Sequence, residues 1–263
     1  MKIALLSPHL DDAVFSVGGL MAVLADEGHE VHVVTCFTRS VPHPAGFALD
    51  CQLDKGLSAE VDYMQLRREE DARACDLLNA QPHWLNLPEA PHRGYHSAAA
   101  LFGNFAEGDM VQSELQEQLE NVVAMIEPDL ILSPQGIGSH VDHRQVRRAV
   151  VRLQEQSSNT LFLRWYDEPY LARHPEQYPK QVIDAGGTGW AVLHELATHP
   201  GSAVVKIDVE AFADRKIAAC AAYATQVGFQ FGGAAAIRAG LAKRGRLEEL
   251  VAGEDTFTLL SRR

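Results

Sequence analysis

Basic charge is scarce in this chain. Its 263 residues hold 23 Lys and Arg against 35 Asp and Glu, a formal net charge of −12. Repulsion from phosphates then argues against a nucleic-acid partner or an anionic membrane surface, although a local basic pocket stays open. Cysteine is scarce too. Cys36, Cys51, Cys75 and Cys220 form no Cys-x-x-Cys pair, and a chain of this length needs no disulfide staples, so a reduced, cytoplasmic setting is expected. No stretch approaches the roughly 18 consecutive apolar residues of a membrane-spanning helix. The apolar run after Lys2 is too short, before Pro8, His9 and Asp11, to make a secretory leader. An internal repeat is absent. So is a Gly-rich phosphate loop, because Gly232-Gly233 lacks the strand–helix context. Without a nucleophile elbow, a serine hydrolase is poorly supported.

What is present is alternation of strand and helix. With 46% apolar residues the chain has material for a proper core. Lys2 to Leu6 reads as a buried strand, Ala13 to Glu27 as a helix stopped by Gly28, and Val31 to Cys36 as a second strand. Gly18-Gly19 inside that helix predicts tight packing against a sheet, where a side chain would clash. The order strand–helix–strand is that of a parallel sheet. Thr38 to Val61, with Pro42, Pro44, Gly46 and Gly56, reads as a long loop able to cover a site. Helices are predicted over Asp62–Leu78, Gln112–Ile126 and Asp142–Glu155, and strands over Pro82–Leu87, Leu130–Ser133 and Leu161–Trp165. Later signals are an Ala-rich helix at 211–224, a helix at 234–242 and a strand at 256–260. The expectation is an α/β chain of Rossmann-like, three-layer type with a mostly parallel central sheet. It would form one domain, with a core to about residue 170 and a C-terminal elaboration.

Two strand-to-helix turns carry the chemistry: Ser7-Pro8-His9-Leu10-Asp11-Asp12 and Gly138-Ser139-His140-Val141-Asp142-His143. If their strands are neighbours in one parallel sheet, both turns open at the carboxyl edge where α/β sheets bind ligands. His9, Asp12 and His143 offer two imidazoles and a carboxylate, a donor set that suits a catalytic zinc with one position open for water. Asp11, beside a ligand, is a candidate general base. His140 and His143, three apart, share a helical face. One can bind metal while the other, if protonated, donates to an oxyanion. Asp142 is a candidate for orienting a histidine. Each residue also has a plain structural reading: Ser139 as helix cap with Asp142 in the first turn, and Asp11-Asp12 as an ordinary helix start. The remaining histidines are scattered, and most read as surface or loop residues.

These segments resemble the LmbE-like, or PIG-L-like, zinc-dependent N-deacetylases. The first family motif is usually His-Pro-Asp-Asp-Glu and stands here as His9-Leu10-Asp11-Asp12-Ala13. The second, His-x-Asp-His, is met in full by His140 to His143. Weaker matches are Arg67-x-x-Glu70-x-x-x-Ala74, Leu87-Pro88-Glu89-Ala90 with Arg93, and Tyr166-Asp-Glu-Pro-Tyr170. The resemblance implies removal of an N-acetyl group, often from an amino sugar, with acetate and free amine as products. By position it implies zinc on His9, Asp12 and His143, with Asp11 as base. His140 would act on the amide carbonyl or oxyanion, and Asp142 would hold His140. Arg67, Glu89 and Arg93 become substrate-pocket candidates. The plain reading of Arg67 is a solvated helix charge paired with Glu70 or Asp71. Two departures stand out. Ala13 replaces the acidic residue, and Gly138 stands where mycothiol-pathway members carry a tyrosine.

Other readings of the same residues are a mononuclear iron(II) enzyme of the two-histidine, one-carboxylate type, a Rossmann-like nucleotide binder, and a non-catalytic module that retains metal. The expected partner is a small N-acetylated molecule. A homo-oligomer is left open.

Overall fold

The computed structural model describes residues 1–177, 182–198, 203–233 and 247–252. The strands are β1 (Lys2–Ser7), β2 (Glu30–Thr35), β3 (Ala80–Trp84), β4 (Leu130–Pro134), β5 (Leu161–Trp165), β6 (Ile183–Asp184), β7 (Ala203–Asp208) and β8 (Leu247–Ala252). They form one sheet in the order β3-β2-β1-β4-β5-β8-β7-β6. The first five run parallel. Only β8 is antiparallel to both its neighbours, β5 and β7. The helices are α1 (Asp12–Asp26), α2 (Phe47–Leu53), α3 (Tyr63–Leu77), α4 (Ala98–Leu101), α5 (Val111–Ile126), α6 (Val141–Gln156), α7 (Tyr170–Arg173), α8 (Trp190–Thr198), α9 (Ala213–Ala221) and α10 (Ala224–Phe231).

The two-residue period of β1 explains the layers. Ile3 and Leu5 enter a core shared with α1, α3, α8 and α9, while Ala4 and Leu6 enter a second core shared with α5 and α6. Apolar residues alternate to both faces, so the strand is apolar throughout and buried throughout. This is the expected three-layer α/β fold. Chain direction across the sheet reverses between β1 and β4: from β1 the chain winds outward to β2 and β3, and from β4 to β5. The carboxyl ends of β1 and β4 therefore flank the crevice where ligands bind in this architecture.

Some expectations need correction. The segment from Thr38 to Val61 is not wholly irregular, because it contains α2, a helix with only Ala48 and Gln52 buried. So short a buried face leaves no apolar period to read. The Ala-rich stretch near residue 211 is split into a short 3₁₀ turn (Glu210–Phe212), α9 and α10. Tyr223 interrupts it, with its hydroxyl drawn to Asp71 at 2.6 Å. His32 is a buried strand residue and not a surface one; its Nδ1 lies 3.0 Å from Nε2 of His83. The proposed helix at 234–242 and strand at 256–260 lie outside the described residues.

Gly18 and Gly19 do answer to close packing, but the neighbours come from the C-terminal third. A Cβ on Gly19 would lie 2.6 Å from Cγ2 of Val209 and 2.9 Å from Oε1 of Glu248. The helix is also broken there: Val17 leaves helical geometry, and the freed N–H groups of Gly19 and Leu20 both donate to the Glu248 carboxylate at 2.8 Å. Lys216 completes this buried knot, with Nζ 2.8 Å from Glu248 and 3.2 Å from the Ser16 carbonyl. No helix among the described residues is long and apolar enough to cross a membrane.

Candidate active site

The first turn is shaped by its own polar atoms. Ser7 Oγ donates to the His9 carbonyl at 2.7 Å and accepts the Ala13 N–H at 3.2 Å. Asp12 Oδ2 accepts the backbone N–H of His9 at 2.9 Å. These bonds fold His9 back over the start of α1 and aim its ring at the second turn. There, Gly136, Gly138 and Ser139 adopt left-handed backbone, a conformation that glycine tolerates best. Ser139 is not the cap of α6. That position belongs to His140, whose Nδ1 accepts the Asp142 N–H at 3.2 Å.

The two turns meet. Asp12 Oδ2 lies 3.2 Å from Nδ1 of His9 and 3.1 Å from Nε2 of His143. Neither contact has the alignment of a hydrogen bond, and His143 Nε2 is a buried atom left without one. The outer nitrogens, in contrast, are well bonded: His9 Nε2 to Asp142 Oδ2 at 2.9 Å, and His143 Nδ1 to Asp167 Oδ1 at 2.7 Å. Each imidazole thus has a carboxylate at its outer nitrogen, which leaves the inner nitrogen of the neutral ring for a metal. That is the usual arrangement of metal-binding histidines. Tetrahedral zinc with bonds of about 2.0–2.1 Å places its ligand atoms about 3.3 Å apart, close to the spacing seen here. The residues fit a divalent ion of this kind.

Three imidazoles gather at this point, with a ring nitrogen from each of His9, His140 and His143 within 4.8 Å of the others. His140 is distinguished by its tautomer. A backbone N–H can only donate, so Nδ1 holds the lone pair and a neutral ring carries its proton on Nε2. Burial, then the neighbouring His9, pushes the His140 pKa down to about 3. Burial thus favours the neutral ring, whose Nε2–H can still donate. Asp142 also differs from expectation. Its carboxylate meets His9, the Ala90 N–H at 3.1 Å and Arg93 at 2.6 Å, while only its backbone touches His140.

Asp11 is 4% exposed. Burial and the charge of Asp12 push it up to about 7, against the opposing pull of Arg67 and His9. Arg67 is not a solvated helix charge. It is buried, forms an ion pair with Glu89 and lies 3.8 Å from Asp11. Glu70 bonds instead to Thr225, and Asp71 to Trp84 and Tyr223. Arg93 is braced on three sides, by Asp109, the Pro88 carbonyl and Asp142. A hollow lined by Cys51, Tyr63, Glu89 and His92 lies beside this cluster, with α2 forming one wall. Asp167 had no role assigned from sequence. Its own segment, Tyr166 to Tyr170, was a weak motif match, and nothing local shows that its carboxylate reaches back across β4.

The family described as PIG-L, GlcNAc-PI de-N-acetylase, matches residues 4–154, a span that holds both turns, most of β1 and the whole of β2, β3 and β4. The chain belongs to this family. It is similar to a 2'-N-acetylparomamine deacetylase of Streptomyces fradiae, 34% identical over 170 residues, which are 64% of this chain and 57% of that protein. The chain thus spans little more than half the length of that relative. It is also similar to a 1D-myo-inositol 2-acetamido-2-deoxy-alpha-D-glucopyranoside deacetylase of Streptomyces avermitilis, 28% identical over 252 residues, 86% of this chain and 83% of that one. Among solved structures, the A40926 pseudoaglycone deacetylase Dbv21 superposes with a TM-score of 0.70 at 27% identity, covering 95% of this chain and 96% of the other.

Proposed function

We propose that this chain is a zinc-dependent N-deacetylase that hydrolyses the acetamide of an amino sugar or an amino-sugar-containing small molecule. The observation that carries the reading is the meeting of His9, Asp12 and His143 beside a buried Asp11 that no aligned hydrogen bond holds among the described residues. Family membership, and relatives named as deacetylases of acetylated amino sugars, support it.

Zinc held by His9, Asp12 and His143 would supply Lewis acidity, making water acidic near pH 7 and drawing charge from a carbonyl oxygen. Asp11 takes the proton from the attacking water. Its raised pKa suits that task, because a base works best when its pKa lies near the working pH. The Nε2–H of His140 donates to the carbonyl oxygen as negative charge grows there. Asp11 then returns the proton to the departing nitrogen as the C–N bond breaks, giving acetate and a free amine. Asp142 and Asp167 orient His9 and His143. Arg67 holds Glu89 and steadies the charge on Asp11, with Glu89 facing the hollow as the substrate contact. Arg93 acts on the site through Asp142.

The test is acetate and amine release from a panel of N-acetylated amino sugars, including acetylated aminoglycoside fragments, by zinc-loaded and chelator-stripped protein. Release that depends on zinc is expected. A zinc-loaded protein that leaves the whole panel intact overturns the reading. Elemental analysis separates zinc from iron(II) at the same residues.

A further inference from the structure

We propose that Tyr170 is a further catalytic residue, whose hydroxyl donates a hydrogen bond to the oxygen that becomes negative during attack on the amide. The inference rests on the deacetylase reading above.

Tyr170 opens α7, just past the end of β5, and is 7% exposed. Its ring stands edge-on to His143, with centroids 5.0 Å apart and planes at 78°, and lies 6.4 Å from the ring of His140. Phe102 closes over it at 6.1 Å. Gly138 leaves the room for this placement. A Cβ at Gly138 would come 2.9 Å from Cδ1 of Tyr170 and 3.3 Å from its Cβ. The tyrosine thus lies directly on the turn that carries His140 and His143.

Two other buried tyrosines show what such hydroxyls ordinarily do. Tyr95 donates to Asp109 at 2.8 Å, and Tyr223 donates to Asp71 at 2.6 Å. Among the described residues the Tyr170 hydroxyl makes no such bond. The ring is buried, but its hydroxyl is not among the fully enclosed polar atoms left without a partner, so the polar end is open to a ligand that can complete it. A phenol keeps its proton at neutral pH and so acts as a donor. The ligand atom it suits is an acceptor lying between the two turns, where the acetyl oxygen would sit. It would act together with Nε2–H of His140. The proton stays on the phenol throughout: the hydroxyl donates to the oxyanion, and the bond weakens again as the carbonyl of acetate forms.

The experiment compares Tyr170→Phe with the unaltered chain, both zinc-loaded. Because the hydroxyl has no partner among the described residues, the fold should tolerate its loss. Expected is a fall in kcat of about 10²–10³-fold, as for loss of one oxyanion donor, with KM within about twofold and zinc content and Tm unchanged. Acetate binding, followed by calorimetry, should weaken about tenfold in the variant. Unaltered kcat, or a loss explained by lost zinc, overturns the assignment while the deacetylase reading stands. If the unaltered chain deacetylates nothing, that reading falls, and the acetate comparison still decides Tyr170: equal affinities in the two proteins overturn it.

Discussion

His143 gives its Nδ1–H to Asp167 Oδ1 at 2.7 Å, while the other oxygen of that carboxylate accepts the N–H groups of Gly136 and Ile137 at 2.7 and 3.0 Å. One side chain therefore fixes both the tautomer of His143 and the loop that leads to it. Asp167→Asn is expected to weaken zinc binding about 10–100-fold, measured by competition with a chromogenic chelator. An unchanged affinity would show that His143 needs no such brace.

Asp11 supplies a pH test. In the proposed mechanism the ionised carboxylate is the base, so kcat/KM should rise with pH through its pKa and then level off. Burial and the charge of Asp12 hold that pKa up to about 7 despite Arg67 and His9, and a metal ion on Asp12 would draw it down further. The acid limb of the loaded enzyme should therefore have its midpoint at or below about 7. Asp11→Asn should remove the limb and cost about 10²–10⁴-fold in rate, with zinc retained on elemental analysis.

His140 is held neutral by burial and by nearby His9, so it should add no limb between pH 5 and 8. His140→Ala is expected to lower kcat by about 10²–10³-fold with zinc still bound. Loss of zinc in this variant would instead make His140 a ligand.

Asp142 is a stability test with a defined sign. Burial opposes its charge, but Arg93 and His9 outweigh it and hold the carboxyl well below its usual range. The folded state then binds fewer protons than the unfolded one. This contribution is present above the unfolded pKa near 3.9 and is lost as pH falls towards the folded value. Asp142→Ala strands the buried Arg93 guanidinium and should cost about 3–5 kcal/mol, read from urea unfolding of the full chain at pH 7. The cost should shrink in acid.

Gly19→Ala tests the broken helix. With Val209 and Glu248 both inside 3 Å of the new methyl, overpacking of about 1–3 kcal/mol is expected. A variant as stable as the parent would mean that the C-terminal segments yield easily.

Much of this was legible in the sequence because the signals are local. Apolar runs broken by turn residues marked β1, β2, β4 and β5, and the bunching of His and Asp after β1 and β4 marked the crevice. The structure brings His9, Asp11, Asp12, His140, Asp142 and His143 together, with Arg67, Glu89 and Arg93 around them. What escaped is pairing at long range. That Asp142 serves His9, that Arg67 pairs with Glu89 and that Asp167 serves His143 are facts of three-dimensional approach, and a carboxylate carries no mark of its partner. The burial of His140 escaped for a related reason, since burial is a property of the assembled layers.

The Glu248 carboxylate bridges the interrupted backbone of α1 to Lys216, and α1 begins at Asp12. The earliest of the proposed reacting groups is thus braced by a residue made more than two hundred positions later. During synthesis the first turn can form its local bonds at once. It cannot gain that brace until β8 has left the ribosome and slotted between β5 and β7. A nascent chain stalled before that strand should hold His9 and Asp12 loosely, and metal capture should come late in the maturation of the protein.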